Sequence, residues 1–389
     1  MTKGKSGGYG GFQNSGLRTW IEVDRDAIRF NYRIFRSLIS KKTRLMAVVK
    51  SNAYGHDMLQ FAKEVEGLGA DFIGVDSLVE GVTLRNAGVR VPILVLGYTM
   101  PERLHEASQY DISVSLSTME HLKALIRTKL EKPLSIHLKV DTGMHRQGFL
   151  SSDIPRVITV LRSPSFKKRA RLEGLFTHFA SAKNPAFPAY TKLQLTEFAR
   201  WRDALTRAGF SFLSHASATG GTLLFPEAHF DMVRVGIGLY GLWPSVETES
   251  FLRDKLTFKP ALVWKTVISE FKTLSAGSKV GYDCTETLEK KSVVAVCPVG
   301  YWHGFSRKLS SIARVLVRGV PCRVVGRVSM DMISIDISSV PNPHVADEVI
   351  LIGTSATRSV TAEDMARLDE TSVYETITRI NPLIRRIYR

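Results

Sequence analysis

The most constraining feature of this sequence is a repeated alternation between short apolar runs and amphipathic stretches of helical length. Eight runs rich in β-branched residues follow one another: Leu45–Lys50, Ala70–Val75, Val91–Gly97, Ile112–Leu116, Ser135–Asp141, Leu172–Phe179, Ser214–Ser217 and Met232–Gly241. Strands that alternate with helices pair in parallel through right-handed crossovers, and eight such units are what a closed barrel requires. The sequence therefore predicts an α/β fold, a (β/α)8 TIM-like barrel.

Beyond Pro244 the pattern changes to one typical of a second, mainly β domain. Its β-rich runs are Ala261–Phe271, Lys291–Val299, Ser311–Val325, Met330–Ile337 and Glu348–Ile352, and two helical stretches, Thr361–Leu368 and Val373–Ile380, follow them. Thr19–Asp24 alternates like a strand and is a candidate for the same sheet. We expect a flexible extension over residues 1–17, the barrel over residues 18–244 and the β domain over residues 245–389.

The composition fits a globular chain with two domains. Apolar residues make up 44% and charged residues 23% of the 389 residues, and no run approaches the roughly 18 apolar residues of a membrane span. The three cysteines lack metal-ligand spacing, so no metal site is predicted, and they favour a reducing, cytoplasmic location.

The net charge of +16 raises the question of nucleic-acid binding. The densest basic run, Lys167 to Arg171, has no aromatic residues interleaved with it on which bases stack. A solvated basic surface explains the charge, and we predict neither a nucleic-acid partner nor a membrane partner.

Catalytic groups of such barrels lie where the strands end, and the first run ends in Lys50. An amine at the end of an apolar strand is expected to lose charge on burial, which suits a nucleophile toward an aldehyde. The alternative is a lysine whose stem packs at the rim and whose amine reaches solvent.

The fifth and sixth runs supply further basic groups. Lys139 and Asp141 lead into a tight loop that presents Arg146, whose planar guanidinium suits a carboxylate; a surface ion pair is the alternative. The sixth run ends near His178, and a single histidine at a strand end is often purely structural.

The last two runs lead into loops that suit a phosphate. Thr219 begins a hydroxyl and glycine loop after the seventh run, and Arg234 precedes Gly236 and Ile237 in the eighth. Loops after strands seven and eight are the usual phosphate site of this barrel. A candidate imine-forming lysine, a phosphate site and a carboxylate site together suggest pyridoxal 5'-phosphate chemistry on an amino acid.

Several segments resemble the signatures of the alanine racemases. AVVKSNAYGH (residues 47–56) resembles the cofactor-lysine motif, and the likeness continues through LKVDTGMHRQGF, LEGLFTHFASA, VRVGIGLYG, KVGYD, GRVSMD and VYE. The resemblance begins near residue 18 and keeps the family order. It implies a pyridoxal-phosphate barrel followed by a β domain, a head-to-tail homodimer, and interconversion of L- and D-alanine for peptidoglycan.

The resemblance also implies roles for individual residues. Lys50 matches the lysine that forms a Schiff base with the cofactor and exchanges the α proton on the D face. Tyr282 matches the base on the opposite face, provided by the other subunit. Two bases on opposite faces are what racemisation requires. Without the motif, Tyr282 is an ordinary strand tyrosine.

The remaining implied roles concern binding. Arg146 and the backbone N–H of Met330 would hold the substrate carboxylate, with Asp331 shaping that loop. His178 would pack against the cofactor ring. Arg234 would face the pyridine nitrogen, with His215 behind it. The lysine matching Lys139 is carbamylated in some members. Five residues would hold the phosphate: Tyr54, Thr219, Gly236, Ile237 and Tyr374.

Some positions depart from the family pattern. Thr219 stands where many members have serine, Lys183 stands where some have an acidic residue, and Trp302 and His303 stand where a small residue and aspartate are common. These departures leave open a racemase with a wider range, acting on serine or basic amino acids. A pyridoxal-phosphate decarboxylase with the same two domains is a second alternative, but the cysteine and acidic motif of those enzymes is not found in this sequence. Single-domain cofactor carriers with the same barrel are a third, and they have no equivalent of residues 245–389.

Overall fold

The computed structural model describes residues 16–355 and 358–389, which form two compact units. One unit is Arg25–Ala261. The other combines the described residues up to Asp24 with Leu262–Arg389. The predicted flexible extension, residues 1–17, lies outside the described residues apart from Gly16 and Leu17.

The first unit is a nearly closed barrel of eight parallel strands, as the alternation predicts. After β1 (Thr19–Val23), which belongs to the other unit, the barrel strands are β2 (Arg44–Val48), β3 (Phe72–Val75), β4 (Ile93–Val95), β5 (Ile112–Leu116), β6 (Leu134–Lys139), β7 (Ala170–Phe176), β8 (Leu213–His215) and β9 (Met232–Val235). They hydrogen-bond in the order β8-β7-β6-β5-β4-β3-β2-β9. Between β8 and β9 the amide of Asp231 donates to Ser214 O (3.1 Å) and that of Arg234 to Ser217 O (2.9 Å).

Helices alternate with the barrel strands, and the first of them precedes β2. The first, Arg25–Leu38, buries Ile28 and Phe35 at helical spacing. The others are Met58–Gly67, Leu78–Asn86, Leu104–Gln109, Met119–Arg127, Ile154–Arg162, Pro164–Arg169, Pro188–Arg207, Thr219–Leu224 and Val246–Leu252. Residues 245–261, which the sequence assigns to the second domain, belong to the compact unit of the barrel.

The strands are shorter than the apolar runs that predict them. The run to Lys50 ends as a strand at Val48, and the run to Gly241 ends as a strand at Val235. The apolar pattern continues because residues past the strand ends are still buried, whereas a strand ends where its ladder of hydrogen bonds ends. The candidate residues therefore lie in the loops just after the strands.

The second unit is built mainly from β-strands, as its sequence predicts. Its further strands are β10 (Leu262–Val267), β11 (Glu270–Leu274), β12 (Lys279–Val280), β13 (Glu286–Thr287), β14 (Ser292–Cys297), β15 (Arg314–Val317), β16 (Val320–Arg323), β17 (Ile333–Asp336), β18 (Glu348–Ser355), β19 (Arg358–Val360) and β20 (Arg386–Tyr388). The largest sheet has the order β16-β15-β18-β10-β1-β20, with β19 on β18. In it β1 pairs antiparallel with β10 and parallel with β20.

Two smaller sheets and two helices complete this unit. β11, β14 and β17 form one sheet, and β12 and β13 form a hairpin. The helices are Ala362–Leu368 and Val373–Thr378. In the described ranges, no helix is both long and apolar enough to cross a membrane.

Candidate active site

Lys50 lies at the start of a left-handed helical turn directly after β2. Ser51, Asn52, Ala53 and Tyr54 have φ angles of 55°, 55°, 51° and 51°. Left-handed helical backbone costs roughly 1–2 kcal/mol per residue for residues with a Cβ. Four such residues in succession need strong support from their surroundings.

Hydrogen bonds and a ring contact supply that support. Ser51 N–H donates to the carboxylate of Glu80 (2.7 Å), which also accepts from Asp76 N–H (2.7 Å). The Asn52 side chain accepts from Met58 N–H (3.0 Å). The ring of Tyr54 lies 4.9 Å from that of Tyr240. The loops after β2 and β3 are thus joined through one carboxylate.

The amine of Lys50 is ion-paired rather than buried. Its Nζ lies 2.9 Å from Oδ1 of Asp76, and its side chain is 36% exposed. The expectation of a lysine enclosed by apolar surroundings is therefore not met, because the residue follows the strand and lies at the rim. Asp76 was not predicted, although its place one residue after β3 is the position where such groups occur.

Thr219, Gly236, Gly238 and Tyr54 form a small polar cradle. The Thr219 hydroxyl oxygen accepts from Gly236 N–H (3.2 Å) and Gly238 N–H (3.5 Å), which leaves its proton available to a ligand. A Cβ at Gly236 would lie 2.7 Å from the Tyr54 hydroxyl oxygen, so the close approach requires glycine. Burial and the charge of Asp76 raise the pKa of Tyr54 to about 12, which keeps its hydroxyl a donor.

Arg234 is a buried guanidinium with fixed hydrogen bonds. Nη2 donates to Thr177 O (2.8 Å) and Ala216 O (3.0 Å), and Nη1 donates to Nδ1 of His215 (3.1 Å). Burial lowers its pKa to about 9, so the group stays protonated at neutral pH. Its orientation is determined by the backbone after β7 and β8.

A chain of hydrogen bonds runs from Arg234 through the barrel interior to a carboxylate. His215 Nε2 lies 2.8 Å from His137 Nδ1, and His137 Nε2 lies 3.1 Å from Oε2 of Glu173. Burial lowers the pKa of both imidazoles, while His137 and Ser113 help to hold that of Glu173 low against its own burial.

Only one arrangement of protons satisfies every bond of this chain. Arg234 is a donor, so His215 Nδ1 must accept and Nε2 must be protonated; His137 then accepts at Nδ1 and donates from Nε2 to Glu173. His137 and Glu173 were not predicted as site residues. Their signal in the sequence is weak: two polar residues within otherwise apolar runs.

Basic side chains converge near His178 and Lys139. Lys139 Nζ donates to Gln147 Oε1 (2.9 Å), and burial together with the charges of Arg146, Arg234 and Lys50 lowers its pKa to about 8. Burial and the charge of Arg234 lower the pKa of His178 to about 3, so it is neutral. Lys139, Arg146 and His178 line one cavity. A cluster of cations with few carboxylates suits anionic ligands.

Tyr282 lies in the β unit, at the tip between β12 and β13, and its side chain is 68% exposed. Gly281, Asp283 and Cys284 around it have positive φ angles. Arg327 pairs with Asp283 (2.5 Å) beside it. This presentation differs from that of an ordinary strand tyrosine.

Met330 and Asp331 lie in the loop before β17, and Tyr374 lies in the helix Val373–Thr378. Ser329 braces the loop by exchanging hydrogen bonds with Met332. Within residues 16–355 and 358–389 the Met330 N–H has no hydrogen-bond partner, although its carbonyl accepts from Trp302 N–H (3.0 Å). That amide is available to an anion.

The structure thus brings together the barrel residues expected from the sequence. Lys50, Tyr54, Lys139, Arg146, His178, Thr219, His215, Arg234, Gly236 and Ile237 lie at or just beyond the carboxyl ends of barrel strands. The polar cradle, an amine and a guanidinium held by backbone carbonyls and His215 form a donor set that fits pyridoxal phosphate. Tyr282, Met330, Asp331 and Tyr374 belong to the β unit.

Comparisons with known proteins match most of this chain. Residues 23–244 match the family model "Alanine racemase, N-terminal domain", and residues 261–388 match "Alanine racemase, C-terminal domain". An alanine racemase of Symbiobacterium thermophilum is 40% identical over 377 residues, covering 96% of this chain and 98% of that protein.

Solved structures agree as well. An alanine racemase of Clostridium difficile superimposes with a TM-score of 0.90 at 32% identity, covering 96% of both chains. The alanine racemase of Bacillus anthracis with bound L-Ala-P also has a TM-score of 0.90 at 32% identity, covering 96% of this chain and 95% of that one.

Proposed function

The chain belongs to the alanine racemase family, and on this premise we propose that it interconverts L-alanine and D-alanine with pyridoxal 5'-phosphate and two bases. The observation that supports this most directly is the arrangement after the barrel strands. There Lys50, the cradle of Thr219 and Gly236, and the buried Arg234 lie at the carboxyl ends of neighbouring barrel strands.

The residues assigned to the cofactor divide into three groups. Tyr54, Thr219, Gly236, Ile237 and Tyr374 would hold the phosphate, Lys50 would supply the covalent amine, and His178 would pack against the ring. When bound, pyridoxal phosphate withdraws electrons from the Cα–H bond of an attached amino acid, which makes that proton removable near neutral pH.

Arg234 would donate a hydrogen bond toward the ring nitrogen. Its partners explain why the proton stays on the guanidinium and is not transferred to the ring. An arginine holds its proton even at the lowered pKa of about 9. His215 accepts from it through a tautomer fixed by His137 and Glu173. A ring nitrogen that only accepts a hydrogen bond limits the electron sink, which discourages transamination.

We assign proton transfer on the two faces of the substrate to Lys50 and Tyr282. Asp76 lies 2.9 Å from the Lys50 amine and can hold a proton near it between turnovers. Tyr282 is exposed at a strained tip of the β unit. We propose that it acts on the site of the other subunit in a homodimer.

Arg146 and the Met330 N–H would hold the substrate carboxylate, with Asp331 shaping the loop. A protonated Lys139 would repel the guanidinium of Arg146, unless the Lys139 amine is neutral or modified. We propose that Lys139 is carbamylated: its neutral amine attacks carbon dioxide, an N–C bond forms and one proton is released. The resulting anion would steady Arg146. The product D-alanine would serve peptidoglycan synthesis.

The decisive test is α-proton exchange in deuterated water. The purified enzyme with pyridoxal phosphate is incubated with L-alanine, L-serine, L-lysine or L-arginine, and NMR with chiral analysis follows deuterium and configuration. Exchange with inversion confined to alanine supports the proposal. Comparable exchange with the larger amino acids indicates a broad-range racemase, and none with cofactor bound contradicts a racemase.

Two variants separate the assigned bases. Lys50→Ala should abolish the absorbance band of covalently held cofactor, because no other assigned residue supplies the amine. Tyr282→Phe should keep the band and lose exchange mainly from L-alanine. Full activity of Tyr282→Phe would contradict the two-base assignment.

A further inference from the structure

His303, which departs from the family pattern, is a buried hydrogen-bond acceptor. It ends the turn Tyr301–His303, is 6% exposed, and its Nδ1 accepts from Gly300 N–H at 3.1 Å. An accepting Nδ1 requires the neutral imidazole with its proton on Nε2. Protonation of the ring would place two donors against each other.

Gly300, which His303 holds, packs directly against the loop of Met330. A Cβ at Gly300 would overlap the Ser329 carbonyl oxygen and lie 2.5 Å from the Met330 carbonyl oxygen. The next two amides continue this contact: Tyr301 N–H donates to Ser329 O (3.0 Å) and Trp302 N–H to Met330 O (3.0 Å). The backbone of residues 300–302 therefore orients both peptide groups of Met330. One of them, between Ser329 and Met330, contains the Met330 N–H.

The far side of the same turn is also held. Asn381 N–H donates to His303 O (3.1 Å), and the Asn381 side chain donates to Trp302 O (3.0 Å). Gly304 has a φ of 102° and packs against the backbone of Arg379 and Ile380. With both flanks held by hydrogen bonds, the His303 ring is the imidazole of this turn, and its Nδ1 holds Gly300 N–H.

We propose that His303 is a positioning residue that holds the Met330 amide toward the substrate carboxylate and makes carboxylate binding sensitive to acid. This rests on the proposed assignment of Met330. When the pH falls below the pKa of His303, the ring is protonated and Gly300 N–H loses its acceptor. The turn then loosens, and the Met330 amide loses its fixed direction.

The charges around His303 set the direction of its titration. Burial is the largest influence and lowers the pKa of His303, Arg18 lowers it further, and Asp331 opposes them. The guanidinium of Arg379 pairs with Glu375 (2.8 Å). Since the pKa is lowered, the bond to Gly300 is fully present above about pH 6.5, the ordinary histidine value, and is lost as the pH falls through the folded value.

Hydrogen exchange tests the positioning role without substrate. Peptides spanning residues 299–305 and 327–333 are followed by mass spectrometry in the cofactor-bound enzyme at about pH 5 and about pH 7.5, with intrinsic rates corrected. Wild type should lose protection at low pH, by up to about tenfold, the effect of one hydrogen bond. His303→Asp, an acceptor ionised at both pH values, should keep protection. His303→Phe should lack it at both.

Kinetics then link the turn to carboxylate binding. Between about pH 7.5 and about pH 5, the KM for alanine of wild type should rise more than that of His303→Asp, by up to about tenfold, with kcat changing in parallel in the two. An equal rise of KM in His303→Asp, or wild-type protection in His303→Phe, would overturn the proposal. Because the exchange experiment needs no turnover, failure of the racemase assignment appears separately, in the deuterium assay.

Discussion

At the scale of single residues, the buried chain from Arg234 to Glu173 is the least expected feature. Four side chains on four barrel strands or their ends settle the proton positions of two imidazoles. A carboxylate at one end and a guanidinium at the other leave one tautomer for each histidine. Buried networks of this kind are stable only when every member is satisfied.

Glu173→Gln tests the direction of that chain. An amide that donates to His137 Nε2 would reverse both tautomers and place His215 Nδ1–H against Arg234. We expect 15N NMR of His215 to show the proton moving to Nδ1, and kcat to fall about tenfold to a hundredfold, as for lost outer partners of metal ligands. Arg171→Ala, which removes a neighbour 3.4 Å from the other carboxylate oxygen, is the control and should change neither.

Lys139 offers a second residue-level prediction. With a pKa of about 8, the neutral amine that reacts with carbon dioxide is well populated at pH 8 and scarce below about pH 6. We expect 13C-bicarbonate NMR to show a carbamate signal that appears near pH 8, weakens on acidification and is absent from Lys139→Met. Identical spectra of wild type and variant would contradict carbamylation.

These residues also mark the limit of prediction at this scale. Lys50, Arg146 and Arg234 were found because strand ends meet at one edge of a parallel barrel. Asp76, Glu173 and His137 were not found. Their partners lie on other strands or loops, and only the pairing register of the strands brings them together. Their roles, like those of all the assigned site residues, stay predictions until variants are measured.

At the scale of elements, the left-handed turn Ser51–Tyr54 exchanges local stability for the placement of Lys50. Its backbone strain is offset by bonds to Glu80 and Met58 N–H. No pattern in the sequence predicts it, since asparagine alone among its residues favours this conformation.

Asn52→Ala should therefore lower the free energy of unfolding by about 1–3 kcal/mol, through the lost bond to Met58 and the poorer left-handed propensity of alanine. Urea denaturation measures this. Asn184→Ala removes a comparable bond to Ala186 N–H outside the strained turn and should cost about 0.5 kcal/mol. Equal costs would show that the turn is not strained.

The connection after β9 gives a second element-level prediction. Gly241 has a φ of 81°, and a Cβ there would overlap the carbonyl oxygen of Lys259, which Asn31 binds at 2.7 Å. Gly241→Ala should destabilise by about 3 kcal/mol or more, whereas Gly209→Ala, with φ of 90° and open space, should cost about 1–2 kcal/mol. Thermal unfolding of both distinguishes overlap from backbone strain alone.

At the scale of the whole molecule, the open question is assembly. Tyr282, Met330 and Trp302 are exposed apolar or aromatic residues of the β unit. Such surfaces mark interaction sites. The head-to-tail homodimer that we propose would use a symmetric interface.

Mixed dimers test whether Tyr282 acts in trans. Lys50→Ala and Tyr282→Phe are each expected to be nearly inactive with L-alanine. If they are unfolded and reassembled together, half of the dimers combine both variants, and each of these has one intact site. We expect recovery of about a quarter of wild-type activity. No recovery, with mixed dimers demonstrated by mass, would place Tyr282 in the site of its own subunit.

The sequence by itself determined the barrel, the β unit and the family, because periodicity and linear motifs are local properties that survive without coordinates. It also located the strand ends at which parallel topology gathers functional groups. Only the tertiary structure decided the left-handed turn, the Lys50–Asp76 pair, the Glu173–His137–His215 chain and the hydrogen bond of His303 to Gly300 beside the Met330 loop. Each depends on which backbone and side-chain atoms meet across elements, and that is set by register and packing rather than by spacing along the chain.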